Sequence, residues 1–140
     1  MGTCLPSRLL LSGTFKERVM IKYINAAQAQ DLMRAENTCI LNLVAAWCSD
    51  CTRQSKNVGS FAQGFTKKGI SVYNVNVQDE KNLFLSPLHQ QLTEQFGGHG
   101  FPRTILIKEG KSADANNVEV ISEEQLAELA DKFRKQLNLD

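Results

Sequence analysis

Residues 47–51, Trp-Cys-Ser-Asp-Cys, decide how the rest of this chain can be interpreted. An apolar run at 39–46 (CILNLVAA) precedes them, and a polar, helix-compatible stretch at 52–57 (TRQSKN) follows them. The cysteine pair therefore lies where a buried strand passes into a helix. Unpaired amides and the helix dipole favour negative charge there, so we expect Cys48 to be a nucleophilic thiolate. The two-residue spacer puts Cys51 one turn further on the same helix face, within reach of a disulfide.

Length and composition are those of an ordinary globular domain. The chain has 140 residues, of which 42% are hydrophobic and 22% charged, and both fractions are near the averages for soluble proteins. A net charge of +1 gives no reason to invoke nucleic acid or a membrane surface. No apolar run approaches the roughly 20 residues that a spanning helix needs. We therefore expect a cytoplasmic protein with no nucleic-acid or membrane partner.

The first 18 residues differ from the rest. The apolar run 9–11 is too short for the hydrophobic part of a secretory signal, and no small-residue cleavage site follows it. Three basic residues suggest an organelle presequence, but Glu17 and the brevity of the segment argue against it. We expect residues 1–18 to be a disordered or non-native leader and residues 19–140 to form one domain.

The remaining pattern predicts alternating strands and helices. Apolar and alternating runs predict strands at 19–24, 39–46, 70–77, 103–107 and 118–121, with 112–117 as a polar loop. Helices are expected at 26–36 with Asn25 as N-cap, from the cysteines through 65, from Pro87 with Ser86 as N-cap, and after a capping box at 122–125. Residues 39–77 then form a β-α-β unit, for which a right-handed parallel crossover is the default.

This order of elements and two motifs resemble the thioredoxin family, over about residues 19–137. One motif is Trp47 with Cys-x-x-Cys after an apolar strand, and the other is Gly100-Phe101-Pro102 at the start of a strand. The resemblance implies an α/β thioredoxin fold, with a central mixed β-sheet flanked by helices on both faces. It also implies a cis peptide bond before Pro102, which an X-Pro bond can adopt at a cost of roughly 0.5–1 kcal/mol.

The resemblance implies a thiol-disulfide oxidoreductase that reduces or exchanges protein disulfides. Cys48 would attack the substrate, and Cys51 would resolve the mixed disulfide. Trp47 would cover the sulfurs, and Phe101 and Pro102 would shape the site and hold the substrate backbone. The partners would be protein disulfides and an electron donor, either a reductase or a small thiol.

Several positions depart from the family pattern. Ser49 and Asp50 stand where thioredoxins usually have Gly-Pro, and a carboxylate there should raise thiol pKa values and favour a reductant or mild isomerase. Asn42 and Asn74 stand where the family has a buried Asp–Lys pair. Two buried amides can bond each other, but neither accepts a proton, so we expect slow turnover. Arg103 adds positive charge that would steer acidic substrates or pair with Asp50.

Two other interpretations follow from the same residues. A zinc site needs about four ligands, which one cysteine pair with His89 and His99 does not supply, so we expect no metal and no cofactor. Either histidine, His89 or His99, could alter the substrate groove, and we expect His99 to be a solvent-exposed loop residue. The alternative function is a thioredoxin-like, redox-responsive adaptor with little turnover, suggested by Asn42, Asn74 and the long segment before Pro102.

Overall fold

The computed structural model describes residues 21–98 and 100–139. The predicted leader, the first two residues of the first predicted strand and His99 lie outside the described residues. The described part contains six strands and five helices. The strands are β1 (Ile21–Tyr23), β2 (Cys39–Ala45), β3 (Ser71–Glu80), β4 (Leu83–Phe84), β5 (Arg103–Lys108) and β6 (Lys111–Val118). The helices are α1 (Ala26–Arg34), α2 (Ser49–Ser55), α3 (Val58–Thr66), α4 (Pro87–Gln95) and α5 (Glu123–Gln136).

The strands form one mixed sheet in the order β1-β3-β2-β5-β6, and β4 pairs with β3 beyond β1. β1 and β2 run parallel to β3, β5 runs antiparallel to β2, and β6 runs antiparallel to β5. β2 is therefore the central strand. Near its carboxyl end Leu43 is paired with Arg103, the first residue of β5, which brings the segments containing Cys48 and Pro102 to the same edge of the sheet.

Helices cover both faces of the sheet, as predicted. Because strand side chains alternate between faces, each central strand contributes to two cores. The first core lies under α1 and α4 and includes Ala26, Ala29, Leu41, Leu43, Val75, Val77, Leu92, Phe96, Ile105 and Ile107. The second core lies under α3 and α5 and includes Ile40, Val58, Phe61, Phe65, Val72, Leu106, Leu126, Leu129 and Phe133. All residues of β2 except Val44 are buried, which explains its nearly continuous apolar sequence.

Local capping chemistry fixes the starts of three helices, all of them at the predicted caps. The Asn25 side chain accepts from the Gln28 amide, and the Ser86 hydroxyl accepts from the His89 amide just ahead of Pro87. Ser122 forms the predicted capping box with Gln125. These side chains satisfy amides that have no intrahelical partner, so helix starts could be predicted from short-range sequence.

The predicted strand at 118–121 is wrong. The observed strand β6 is Lys111–Val118 and occupies the segment predicted as a loop. Glu109 and Gly110 both have positive φ, 52° and 82°, so they form the tight two-residue turn that joins paired strands directly. Pairing then starts at once, between Lys108 and Lys111. A polar sequence is tolerated because β6 is an edge strand with an exposed face.

Two other elements differ from prediction. The helix after the cysteines is divided into α2 and α3, and the break at Asn57 is anchored by its side chain, which donates to the Ile121 carbonyl at 3.0 Å. β3 continues to Glu80, past its predicted end at residue 77, and returns as β4, where no strand was predicted. This β3–β4 hairpin fills part of the long segment that precedes Pro102.

Candidate active site

The cysteine pair lies where β2 ends and α2 begins. The chain leaves the sheet at Ala46, whose amide donates to the Gln78 carbonyl at 2.8 Å, and turns so that the Cys48 amide donates to Ala45 at 3.0 Å. Cys48 is the N-cap of α2, with an extended backbone, and its sulfur accepts a hydrogen bond from the Cys51 amide at 3.2 Å. The sulfur thus takes the place of a capping oxygen, where negative charge is stabilised.

Both thiols are buried and free. Cys48 is 6% and Cys51 7% exposed, and Cys48 Sγ lies 3.7 Å from the Phe101 carbonyl oxygen. Burial raises the pKa of Cys51 well above its usual range, and its hydrogen bond with Cys48 acts in the same direction. The charge of Asp50 also raises the pKa of Cys51, as the sequence predicts. Cys51 therefore holds its proton in the resting dithiol.

The Pro102 loop faces the sulfurs from the start of β5. The Phe101–Pro102 peptide bond is cis, as the resemblance implies, and both residues are buried. The Pro102 carbonyl accepts from the Glu119 amide at 2.8 Å, which ties the loop to the end of β6. Gly100 has φ +124°, and a Cβ there would lie 2.9 Å from a Val118 methyl. Only glycine fits this backbone without displacing its neighbour.

Trp47 stands beside the dithiol as a partly exposed ring. Its Nε1 donates to Gln78 Oε1 at 2.8 Å, and the ring meets Phe101 edge-to-face with centroids 6.4 Å apart. The Lys81 ammonium lies 5.6 Å from the indole centroid, within cation–π range. Gln78 is fully buried, although no role was predicted for it from the sequence. Its signal was a polar residue directly after a buried strand.

A buried amide cluster lies next to α2 in the sheet. Asn42 Nδ2 donates to Gln54 Oε1 and to Asn74 Oδ1, both at 2.8 Å, which confirms that the two asparagines can bond each other. The Thr104 hydroxyl donates to Asn42 Oδ1 at 2.9 Å. Gln54 lies three residues after Cys51 on the same helix face and also donates to Val120 at 3.0 Å. Neither Gln54 nor Thr104 was predicted from the sequence, although Thr104 pairs with Asn42 in the β2–β5 register.

The predicted roles of Arg103 are wrong. Its side chain is buried, only 6% exposed, and donates to the Ala115 carbonyl at 2.8 Å, so it adds no cation to the surface. The guanidinium packs where Gly97 and Gly100 leave room, with a Cβ at Gly97 only 3.0 Å from Nη1. Asp50 forms its ion pair with Arg53, one turn along α2.

The other predicted residues have plainer surroundings. Ser49 is exposed in the first turn of α2. His89 contacts the Ser86 hydroxyl at 2.7 Å and the Ala26 amide at 3.4 Å, joining the N-termini of α4 and α1. Burial lowers its pKa. Among residues 21–98 and 100–139, no group of three or more His, Cys, Asp and Glu side chains is placed to hold a metal ion.

Similar proteins identify the family of this chain. The family model for thioredoxin matches residues 19–132. The chain belongs to the thioredoxin family. It is similar to the thioredoxin of Pseudomonas aeruginosa, with 23% identity over 112 residues that cover 80% of this chain and 94% of that protein. Family membership supports a redox oxidoreductase role in general.

Solved structures show the same fold. Spinach chloroplast thioredoxin f in its long form has a TM-score of 0.62 at 13% identity, covering 91% of this chain and 99% of that chain. A chain of the ferredoxin:thioredoxin reductase and thioredoxin f2 complex has a TM-score of 0.58 at 13% identity, covering 81% and 94%. The predicted thioredoxin fold is thereby confirmed. None of the helices in the described part of the chain is both long and apolar enough to cross a membrane.

Proposed function

We propose that this protein is a thiol-disulfide oxidoreductase that reduces or exchanges protein disulfides through Cys48 and Cys51. The observation that supports it most directly is the contact at 3.2 Å between the Cys51 amide and the Cys48 sulfur. It places a capping sulfur and a second thiol one helical turn apart. The cis-proline loop lies against the same pair, with the Phe101 carbonyl 3.7 Å from Cys48 Sγ. This geometry suits a dithiol that closes to a disulfide and opens again.

The proposed reaction has two exchange steps. Cys48 Sγ attacks one sulfur of the substrate, forms a mixed disulfide, and releases the other substrate sulfur as a thiolate that takes a proton from solvent. Cys51 then gives up its proton, attacks Cys48 Sγ, and releases the second substrate sulfur. Two electrons pass to the substrate, and the enzyme ends as the Cys48–Cys51 disulfide. An external reductase or small thiol restores the dithiol.

The surrounding residues support these steps. We propose that Trp47 shields the sulfurs, because it adjoins Cys48 and packs against Phe101. Phe101 and Pro102 would hold the substrate backbone beside the sulfurs. Proline has no amide proton, so Pro102 donates no main-chain hydrogen bond at this edge. Ser49, in the first turn of α2, is the more exposed of the two residues between the cysteines, so an incoming substrate can reach it.

The amide cluster bears on the rate of the second step. Cys51 must lose a proton although burial raises its pKa. Asn42 and Gln54 carry neutral amides, which accept no proton at ordinary pH. The proton therefore has to reach solvent or the departing substrate sulfur. We propose that resolution of the mixed disulfide is the slow step.

The electron donor is proposed by analogy. A thioredoxin f2 with the same fold is known in complex with ferredoxin:thioredoxin reductase. We propose that this protein likewise receives electrons from a reductase or a small thiol. The cytoplasm is the proposed compartment, since its thiol pools keep such pairs reduced.

Insulin reduction tests the proposal. With dithiothreitol as the donor, wild-type protein should accelerate precipitation of the insulin B chain, and Cys48→Ser should abolish the acceleration. Cys51→Ser should stop after one step and accumulate a mixed disulfide, which mass spectrometry detects. Cys39→Ser is the matched control, because this third cysteine is buried at the start of β2. Unchanged activity of Cys48→Ser would overturn the proposal.

A redox-responsive adaptor is the second candidate. The amide cluster around Asn42, which offers no proton acceptor, favours it. An adaptor would form a mixed disulfide once and then hold its partner. Repeated turnover of insulin by the wild-type protein would exclude this function.

A further inference from the structure

Exposed leucines gather on one side of the dithiol. Five large hydrophobic side chains are exposed in the described part of the chain. Four of them follow the carboxyl ends of β2 and β3 in the sequence, and the cysteine pair also follows the end of β2. Leu83 is 61% exposed, Leu85 and Leu88 are each 45% exposed, and Trp47 is 38% exposed. Contiguous exposed apolar side chains mark interaction sites more often than single ones do.

The fold of the β3–β4 hairpin holds two of these leucines outward. Phe84 packs against the first core, and neighbouring strand residues point to opposite faces. Leu83 and Leu85 therefore share the outer face. The Leu85 amide donates to the Val77 carbonyl at 2.9 Å, which extends the pairing beyond β4. Their exposure is thus a consequence of strand pairing.

The hairpin is joined directly to the active site. Gln78 Oε1 accepts from Trp47 Nε1 at 2.8 Å and from the Asn82 amide at 3.1 Å. One buried oxygen therefore holds both the tryptophan beside Cys48 and the turn that precedes Leu83. Lys81, in the same turn, lies over the indole ring. Trp47 is thus linked through Gln78 to the hairpin that carries Leu83 and Leu85, and we call these three exposed side chains the hairpin surface.

Burial of the sulfurs requires that a substrate approach closely. Cys48 is only 6% exposed, so a substrate disulfide that reaches its sulfur brings its own flanking residues against the neighbouring surface. On the β3 side, that neighbour is the hairpin surface. Apolar flanking residues would bury leucine side chains there and gain affinity, whereas polar ones would not.

We propose that the hairpin surface binds apolar side chains that flank the disulfide of a substrate protein. The proposal rests on the proposed function and names its substrate class. The affinity would be gained when the substrate docks, so it would raise kcat/KM for substrates whose disulfide is flanked by apolar residues. A small disulfide without flanking residues would not sense the hairpin.

Two synthetic peptides test this. Each carries one intramolecular disulfide, with Leu and Phe beside it in the first peptide and Ser and Gly in the second. Wild-type protein should reduce the apolar peptide with a roughly tenfold higher kcat/KM. The double variant Leu83→Ser/Leu85→Ser should lose that preference and should reduce hydroxyethyl disulfide at the wild-type rate. Circular dichroism and the midpoint of thermal unfolding verify that it is folded.

Leu139→Ser is the matched control. This leucine follows α5, and the end of α5 accepts a hydrogen bond from Lys108. Lys108 is the last residue of β5, whereas Arg103, beside the Pro102 loop, is the first. Leu139 therefore lies away from the dithiol. It should leave the peptide preference unchanged. Equal kcat/KM for both peptides in the wild type would overturn the proposal, as would a preference that persists in the double variant. Loss of a dimer in the double variant without a change of preference would assign the surface to a second copy instead.

The proposed function fails in a different way. If wild-type protein reduces neither peptide nor hydroxyethyl disulfide, no dithiol activity exists and both proposals are overturned. If it reduces all three disulfides at rates that ignore the flanking residues, only the proposal about the hairpin surface is overturned.

Discussion

Replacement of Asn42 by aspartate would test the buried amide cluster most sharply. Asn42 is 1% exposed and uses one atom, Nδ2, to donate to both Gln54 and Asn74. In Asn42→Asp that atom becomes an oxygen facing two acceptor oxygens. Gln54 cannot reverse its amide without losing its 3.0 Å bond to Val120. The protonated acid can still donate one bond, so the protein favours the neutral form.

The size of the effect follows from the pKa. Desolvation and facing acceptors raise the pKa of a buried carboxyl by up to about 3–5 units, and each unit corresponds to about 1.4 kcal/mol. The folded-state pKa would exceed the unfolded value of about 3.9. Stability relative to wild type is therefore retained below pH 4 and lost as pH rises to the folded pKa. Above it, the loss reaches about 4–7 kcal/mol, a large part of the roughly 5–15 kcal/mol that stabilises a domain.

Urea unfolding at pH 4 to 9 measures this loss. The difference in unfolding free energy between wild type and Asn42→Asp should be small at pH 4 and should grow with pH. The control is Asn116→Asp, which makes the same change on an exposed residue and should give a difference that varies little with pH. A pH-independent difference for Asn42→Asp would refute the account of the cluster.

Four further variants probe the site and the scaffold. Asp50→Asn should lower the pKa of Cys51 and make the reduction potential less negative by under about 30 mV, because Arg53 already neutralises part of the charge; equilibration with glutathione measures this. Gly110→Ala should cost more than about 2 kcal/mol in urea unfolding, since its Cβ would lie 2.3 Å from a main-chain oxygen of α1 at φ +82°. Gly64→Ala, where the space is open, should instead stabilise α3 by up to about 1 kcal/mol. Burial raises the pKa of Cys39 from 9.0 to about 11, so stability falls as pH rises from about 9 to 11, and Cys39→Ala should remove about 1 kcal/mol of that loss at pH 10.

Local chemistry explains what the sequence predicted well. β2 could be identified because a central strand is apolar on both faces, and α2 because the cysteine pair follows that strand. The caps at Ser86 and Ser122 depend on hydrogen bonds within three residues. Interactions of this range are visible in the sequence itself.

Long-range contacts explain what it did not predict. The burial of Arg103 depends on a carbonyl at Ala115 and on space beside Gly97, neither of which adjoins it in sequence. The break between α2 and α3 depends on the contact of Asn57 with Ile121. β6 is polar because it lies at an edge of the sheet, so its sequence has no alternation of apolar and polar residues that would predict a strand. The turn at Glu109 and Gly110 determines where its pairing with β5 starts.

The reduction potential of the Cys48–Cys51 pair tests the central claim most directly. The protein would be equilibrated with dithiothreitol or glutathione at fixed ratios, and the dithiol and disulfide forms would be counted by mass spectrometry. Dithiol pairs of this kind range from roughly −270 to −120 mV. We predict a value near −270 mV, as a reductant requires. A value near −120 mV, or no disulfide between the two sulfurs, would contradict the account.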